Sequence, residues 1–268
     1  MTDQAPHEPP AIVNLSDGVA RLTLNNPRRK NAITLQMAAL IEDFCRSVHA
    51  DETIGAVLVD AVGGYFCSGA DTRDLGQSSA DPAAPKSVAR TSAVYSAFVE
   101  IGRLPVPSVS LVVGGAVGAG LNLALATDLM LVTADAVLDS GFLARGIHPG
   151  GGHLSLLGRA AGYQQAIALG GLGIPLSGAE AVRRGLAWQT ADPEDMLDAA
   201  EALVAKAAAD PELARRIKNS AVLEVGPPAI PWTAAIEVER GVQMWSFGRK
   251  GRTGWDRKPS KPHVVAEP

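Results

Sequence analysis

Two short runs of small residues could do chemistry in this 268-residue sequence: FCSGAD, from Phe66 to Asp71, and GGAVGAG, from Gly114 to Gly120. Each follows an apolar stretch. The second also opens a run that reads as a helix, whose first amides have no intrahelical partner and sit at the positive end of the dipole. Such amides can hold a carbonyl oxygen that is becoming negative, and an amide from the first run would complete an oxyanion hole. Glycine turns are common in α/β domains, so on these residues alone a plain strand-to-helix turn stands beside the carbonyl-binding reading. Two histidines, His148 and His153, flank the glycines of PGGG. His153 could titrate near neutrality and act as a base, or be a surface or helix-capping residue. Other signatures are absent: no GxSxG, no GxxxxGK[ST], no HExxH, and no GxGxxG after a strand. Nucleotide hydrolysis, dinucleotide redox chemistry and α/β-hydrolase acyl transfer are thereby set aside.

The elements that must position these loops follow from periodicity. The alternation around Ser16-Asp17-Gly18 predicts a hairpin. Thr34 is a suitable cap for a helix over residues 35–50, with Met37, Leu40, Ile41, Phe44 and Val48 on one face. Residues 55–62 and 106–113 read as buried strands, 77–85 as a loop and 86–104 as a helix. A small-residue helix and the strand DLMLVTAD follow the second loop. This alternation with short connections predicts an α/β layered domain. From Gly150 onward strands nearly vanish, and helices are expected over 152–161, 163–169, 178–184, 194–209, 211–223 and 232–247. The division expected is a leader at 1–10, a core at 11–190, a helical region at 191–248 and a basic tail at 249–268.

Composition limits the partners. With 24 Lys+Arg against 28 Asp+Glu the net charge is −4, which excludes nucleic-acid binding through bulk positive charge. The tail carries six basic and two acidic residues, a local +4, which leaves −8 for the rest. Two cysteines cannot build a disulfide framework or a cysteine zinc site, so no metal is expected. The opening MTDQAPHEPPA has neither the basic nor the apolar region of a signal peptide. No membrane span is expected, and a cytoplasmic protein is predicted.

Taken in order, LNNPRRKNAIT, FCSGADTRDL, the stretch from Pro105 to Asp128 containing GGAVGAGLNLALATD, and GIHPGGG with a downstream LGRAAG resemble the enoyl-CoA hydratase/isomerase (crotonase) superfamily. The resemblance extends from about Ile12 to about Arg184. It implies a crotonase-like spiral of ββα units with a C-terminal helical trimerisation region, assembled as a homotrimer or a dimer of trimers. It further implies an acyl-CoA thioester as substrate, in fatty-acid or related CoA metabolism, with coenzyme A entering as part of the substrate and no permanently bound cofactor. The oxyanion amides fall on Ala70 and Ala119; Ala119 stands where most members have glycine. CoA contacts fall on Arg28, Arg29 and Lys30 for phosphates, and on Ser68, Ala70, Asp71 and Thr72 for adenine and pantetheine.

The departure from the resemblance lies at the catalytic acids. Hydratases place a glutamate two residues after the last glycine of the second loop and another seven before the proline of the I-P-G-like motif. Asn122 and Phe142 occupy those positions here, and no carboxylate occurs between Glu100 and Asp128 or between Asp139 and Glu180. Asn122 can orient a water but not take its proton, and Phe142 makes that wall apolar. Asp71 and Asp128 read as structural or CoA-adjacent, and Tyr95 as core. The resemblance therefore implies an acyl-CoA-binding protein unsuited to two-glutamate hydration. It stands either as an isomerase or hydrolase using a histidine base, or as a non-catalytic acyl-CoA carrier.

Overall fold

A computed structural model of the chain describes residues 9–71, 73 and 84–226. Thr72, the expected helix over 232–247, the basic tail and most of the 77–85 loop lie outside the described residues. The chain divides into one compact unit through Arg215 and a second from Arg216.

Strands β1 (Ala11–Ser16) and β2 (Val19–Leu24) pair antiparallel, Ser16 opposite Val19. Asp17 and Gly18 between them take φ of 49° and 79°, as a two-residue hairpin turn requires. Helix α1 (Leu35–Ala50) starts where the Thr34 hydroxyl accepts the Met37 amide at 3.1 Å. Its buried face, Met37, Ala38, Ile41, Phe44, Cys45 and Val48, packs on the sheet. Strand β3 (Ala56–Ala61) then runs parallel to β2, followed by the first small-residue loop and helix α2 (Pro85–Gly102).

Strands β4 (Ser108–Val112) and β5 (Gly115–Val117) lead into α3 (Ala119–Ala126). Strands β6 (Leu129–Val132) and β7 (Val137–Asp139) lead into α4 (His153–Gln165). Each pair splits between two sheets. The larger sheet has order β1-β2-β3-β4-β6-β9 and the smaller β5-β7-β8, with β8 (Leu176–Ser177) and β9 (Gln189–Thr190) completing them. An isolated bridge from Cys67 to Ala116 brings the first loop onto the edge of the smaller sheet. Strand, short strand and helix thus repeat twice, and β3, the Cys67 bridge and α2 form a similar turn before them, the ββα spiral that the resemblance implies.

The parallel strands are buried on both faces, as such sheets must be. One face carries the main core with α1, α2 and α3. On the other, Leu58, Val109, Leu111 and Leu131 meet Met196, Ala200 and Val204 of α6 (Met196–Ala209). Helix α5 (Gly178–Arg183) is closed by a Ser177–Glu180 capping box. The expected break between helices near residue 162 falls at Gly162, with φ of 82°, and a π-helical turn at Ala166–Gly171 follows. Helix α7 (Pro211–Val225) is the last described element. Among the described residues no helix is long and apolar enough to cross a membrane.

Candidate active site

The first loop is held by the segment after the hairpin. Ile33 donates to the Gly69 carbonyl at 2.8 Å, Asp71 to the Ile33 carbonyl at 2.9 Å, and Ser68 to the Lys30 carbonyl at 2.9 Å. These bonds extend the backbone of FCSGAD and leave the Ala70 amide with no acceptor among the described residues. Asn31, fully buried at φ 53°, anchors the segment: Nδ2 donates to the Val62 and Tyr65 carbonyls at 3.0 and 2.8 Å, and Oδ1 accepts the Asn26 amide at 2.7 Å. Asn31 was not marked by its type, and its signal is the clustering of Asn25, Asn26 and Asn31 around Pro27.

The second loop arrives by its own constraints. Val117 donates to the Cys67 carbonyl at 3.0 Å and Gly118 to the Asp139 carbonyl at 3.0 Å. Gly118, at φ 56° and ψ −118°, turns the chain into α3. Glycine is therefore needed at Gly118, and Ala119 after it keeps an ordinary negative φ. A side chain on Gly120 would clash with the Cys67 carbonyl, so glycine there lets the start of α3 lie against the first loop. The approach is close: a Cβ built on Gly69 would lie 3.0 Å from the Val117 oxygen and 3.7 Å from the Ala119 nitrogen. As the first helical residue, Ala119 also lacks an acceptor for its amide among the described residues.

Both amides border a cavity of about 160 Å³, with Val94 and Tyr95 of α2 and with Val117, Phe142 and Ile147 forming much of an apolar wall. Tyr95, expected in the core, lines this cavity and covers Gly150, where an added side chain would strike its hydroxyl. Asn122 lines it too, but no carboxylate does among the described residues.

The two histidines part company. His148 lines the cavity, is exposed, and places Nδ1 2.7 Å from the Pro149 carbonyl oxygen. That contact makes Nδ1 the donor, so in the neutral ring Nε2 is the acceptor. His153 does not line the cavity; it is 1% exposed, behind Asn122, with Phe142 edge-on at 5.0 Å. Burial lowers its pKa to about 4, against a smaller opposing effect of Asp139. The expectation that His153 titrates near neutrality is thus corrected, because desolvation penalises the imidazolium.

The basic trio also separates. Arg29 pairs with Asp71 at 3.2 Å, and Asp71, 1% exposed, also receives Arg73 at 2.9 Å. Hydrogen bonding from Arg73, with both guanidinium charges, holds the Asp71 carboxyl below the usual range despite its desolvation. Lys30 lies over the Tyr65 ring at 4.7 Å and Arg28 is exposed. The Ser68 hydroxyl donates to the Arg29 carbonyl at 3.1 Å. Cys67 sits in the first loop with its thiol pushed up to about 12 by burial, which disqualifies it as a nucleophile. Asp128 accepts from the Ser108 amide and hydroxyl at 2.9 and 3.0 Å, a structural tie between the start of β4 and the connection from α3 to β6. Among the described residues no three His, Cys, Asp or Glu side chains are grouped to hold a metal.

Among the described residues, two clamped loops on a ββα spiral thus present unpaired amides to one cavity. Residues 14–244 match the enoyl-CoA hydratase/isomerase family. The chain belongs to that family. It is 39% identical over 202 residues to a probable enoyl-CoA hydratase of Mycobacterium tuberculosis, covering 75% of this chain and 77% of that protein. It is 33% identical over 201 residues to the 1,2-epoxyphenylacetyl-CoA isomerase of Escherichia coli, covering 75% and 76%. Among solved structures it is similar to a candidate enoyl-CoA hydratase of Thermobifida fusca in complex with CoA, with a TM-score of 0.77 and 26% identity over 90% of this chain and 94% of that one. This family member therefore has the crotonase-like fold, and its relatives are named for more than one CoA thioester.

Proposed function

We propose that this protein binds an acyl-CoA thioester with its carbonyl oxygen between the amides of Ala70 and Ala119, and acts on the acyl group without the paired carboxylates of a hydratase. The observation that carries the reading is the convergence, among the described residues, of two acceptor-less amides on a cavity that no described carboxylate lines. The Ala119 amide opens α3, so the helix dipole adds to its attraction for an enolate or oxyanion. In dry surroundings each donor of this kind is worth about 10²- to 10³-fold in rate. The CoA-bound relative supports CoA binding here. Arg28 and Lys30 remain for its phosphates, since Arg29 is engaged by Asp71.

Hydration needs a base for water and an acid for the α-carbon. Asn122 and Phe142 supply neither. One observation favours a histidine-based isomerase or hydrolase over a carrier: His148 is at the cavity with its tautomer set. In this reading Nε2 takes the α-proton while the two amides hold the enolate oxygen. The proton then returns to the same or a neighbouring carbon, so nothing is gained or lost.

Calorimetry with butyryl-CoA at low salt and exchange of its α-protons in D₂O test the proposal together. Micromolar binding with exchange that His148→Gln removes is the expected result, and binding without exchange leaves the carrier. Absence of binding to any acyl-CoA overturns the proposal, as does crotonyl-CoA hydration at the rate of a two-glutamate enzyme. For assembly, the family resemblance supports a homotrimer or a dimer of trimers, and a monomeric mass by light scattering would remove that reading.

A further inference from the structure

Asn122 stands three residues after Ala119 on α3, a rise of about 4.5 Å on the same side of the helix. Its amide is held at both ends. Nδ2 donates to the Gly150 carbonyl oxygen at 3.1 Å, and Oδ1 lies 2.6 Å from His153 Nδ1. Turning the amide over would set its oxygen against the Gly150 oxygen, so the Gly150 carbonyl assigns the orientation. It follows that His153 carries its proton on Nδ1 and donates it to Asn122. Among the described residues the buried His153 Nε2 has no partner, so it is left as the unpaired acceptor of the neutral ring.

The two ends of this amide face different surroundings. His153 lies outside the cavity lining and Gly150 lies on it. The oxygen is thus spent on His153, while the nitrogen gives one of its two hydrogens to Gly150, which lines the cavity with Asn122 itself. Where a hydratase places an acceptor, this chain offers a fixed donor.

We propose that Asn122 donates a hydrogen bond to the acyl group, with His153 as its positioning residue, and that the favoured substrates are acyl-CoA thioesters with an acceptor oxygen near the β-carbon: a 3-oxo, 3-hydroxy or epoxide group. The inference rests on the acyl-CoA reading above. With the thioester oxygen at the Ala119 amide, one helical rise along α3 reaches the β-carbon region. Phe142 and Val94 add apolar surface to the lining, so an N–H left facing a plain alkyl chain goes unpaired. About ten-fold discrimination follows from one such bond.

Calorimetry of the full chain with butyryl-CoA, acetoacetyl-CoA and 3-hydroxybutyryl-CoA tests this through the ratio of Kd values, which a general loss of packing would not move. The oxygenated thioesters are expected to bind about ten-fold more tightly than butyryl-CoA. Asn122→Leu brings the ratio to within two-fold. His153→Leu, which leaves the amide held by Gly150 alone, lowers the preference part-way toward that of Asn122→Leu, whereas His153→Asn keeps a donor near the Nδ1 position and keeps most of the preference. A wild-type ratio near one, or a preference that survives Asn122→Leu, overturns the inference. Equal binding of the three removes this inference alone; failure of all three to bind removes the acyl-CoA reading with it.

Discussion

Replacing Ala119 by proline deletes one proposed oxyanion donor with little cost to the fold. Ala119 is the first residue of α3, behind Gly118. At that position proline's missing N–H breaks no helix bond and its fixed φ suits the helix. Gly118, at φ 56° and ψ −118°, has no Cβ to meet the proline ring. The folding cost should therefore stay under about 1 kcal/mol, a shift of only a few degrees in Tm. The functional cost is different in scale. Losing one oxyanion donor corresponds to about 2.7–4 kcal/mol, or about 10²- to 10³-fold. The ring carbon that replaces the hydrogen also projects toward the carbonyl site. Two readouts follow: α-proton exchange of butyryl-CoA in D₂O, and the ¹³C shift of a carbonyl-labelled acyl-CoA bound to the protein. The second reports polarisation of the carbonyl even in the absence of turnover. Ala119→Pro should slow exchange by about 10²-fold or more and shrink the downfield shift, while Ala119→Gly, which keeps the amide, should stay close to the wild type. A folded Ala119→Pro protein with unchanged exchange and carbonyl shift would show that this amide does not face the thioester.

Two further outcomes concern stability. His153 has a pKa of about 4 in the folded chain against 6.5 for the free side chain, so the unfolded chain binds more protons between these values. Its contribution is complete above about pH 6.5 and is lost as the pH falls toward 4, on the order of 2 kcal/mol by pH 5; urea unfolding should show that slope reduced in His153→Leu, and an identical slope would count against it. Arg215 on α7 donates to the carbonyls of Val48, Asp51 and Ile54 at 2.8, 2.6 and 3.2 Å, tying the C-terminal end of α1 to the start of β3. At roughly 1 kcal/mol per bond, Arg215→Ala should lower Tm by on the order of 5–10 °C, and a shift under about 2 °C would mean that the bonds exchange freely with water.

Much of this architecture is local in origin and so was legible from the residues. The Asp17-Gly18 turn, the Thr34 cap, the break at Gly162 and the glycine-rich entrance to α3 depend on backbone preferences of a few neighbouring residues. The two loops could be picked out for the same reason. Strands β5, β7 and β8 could not: two or three residues are too short to show a period, and they exist only because Gly115 meets Val137 and Leu138 meets Leu176 across long separations. The roles of individual side chains were decided in the same way, by partners far along the chain. Arg29 looked like a phosphate ligand until Asp71, 42 residues on, engaged it. His148 and His153 looked alike on either side of PGGG, but the path through Gly151 and Gly152, at φ 69° and 77°, leaves one at the cavity and starts a helix that buries the other. Residue type told which groups were present; burial and the direction of each hydrogen bond, which arise only on folding, decided which of them reach the cavity and which are spent inside the protein.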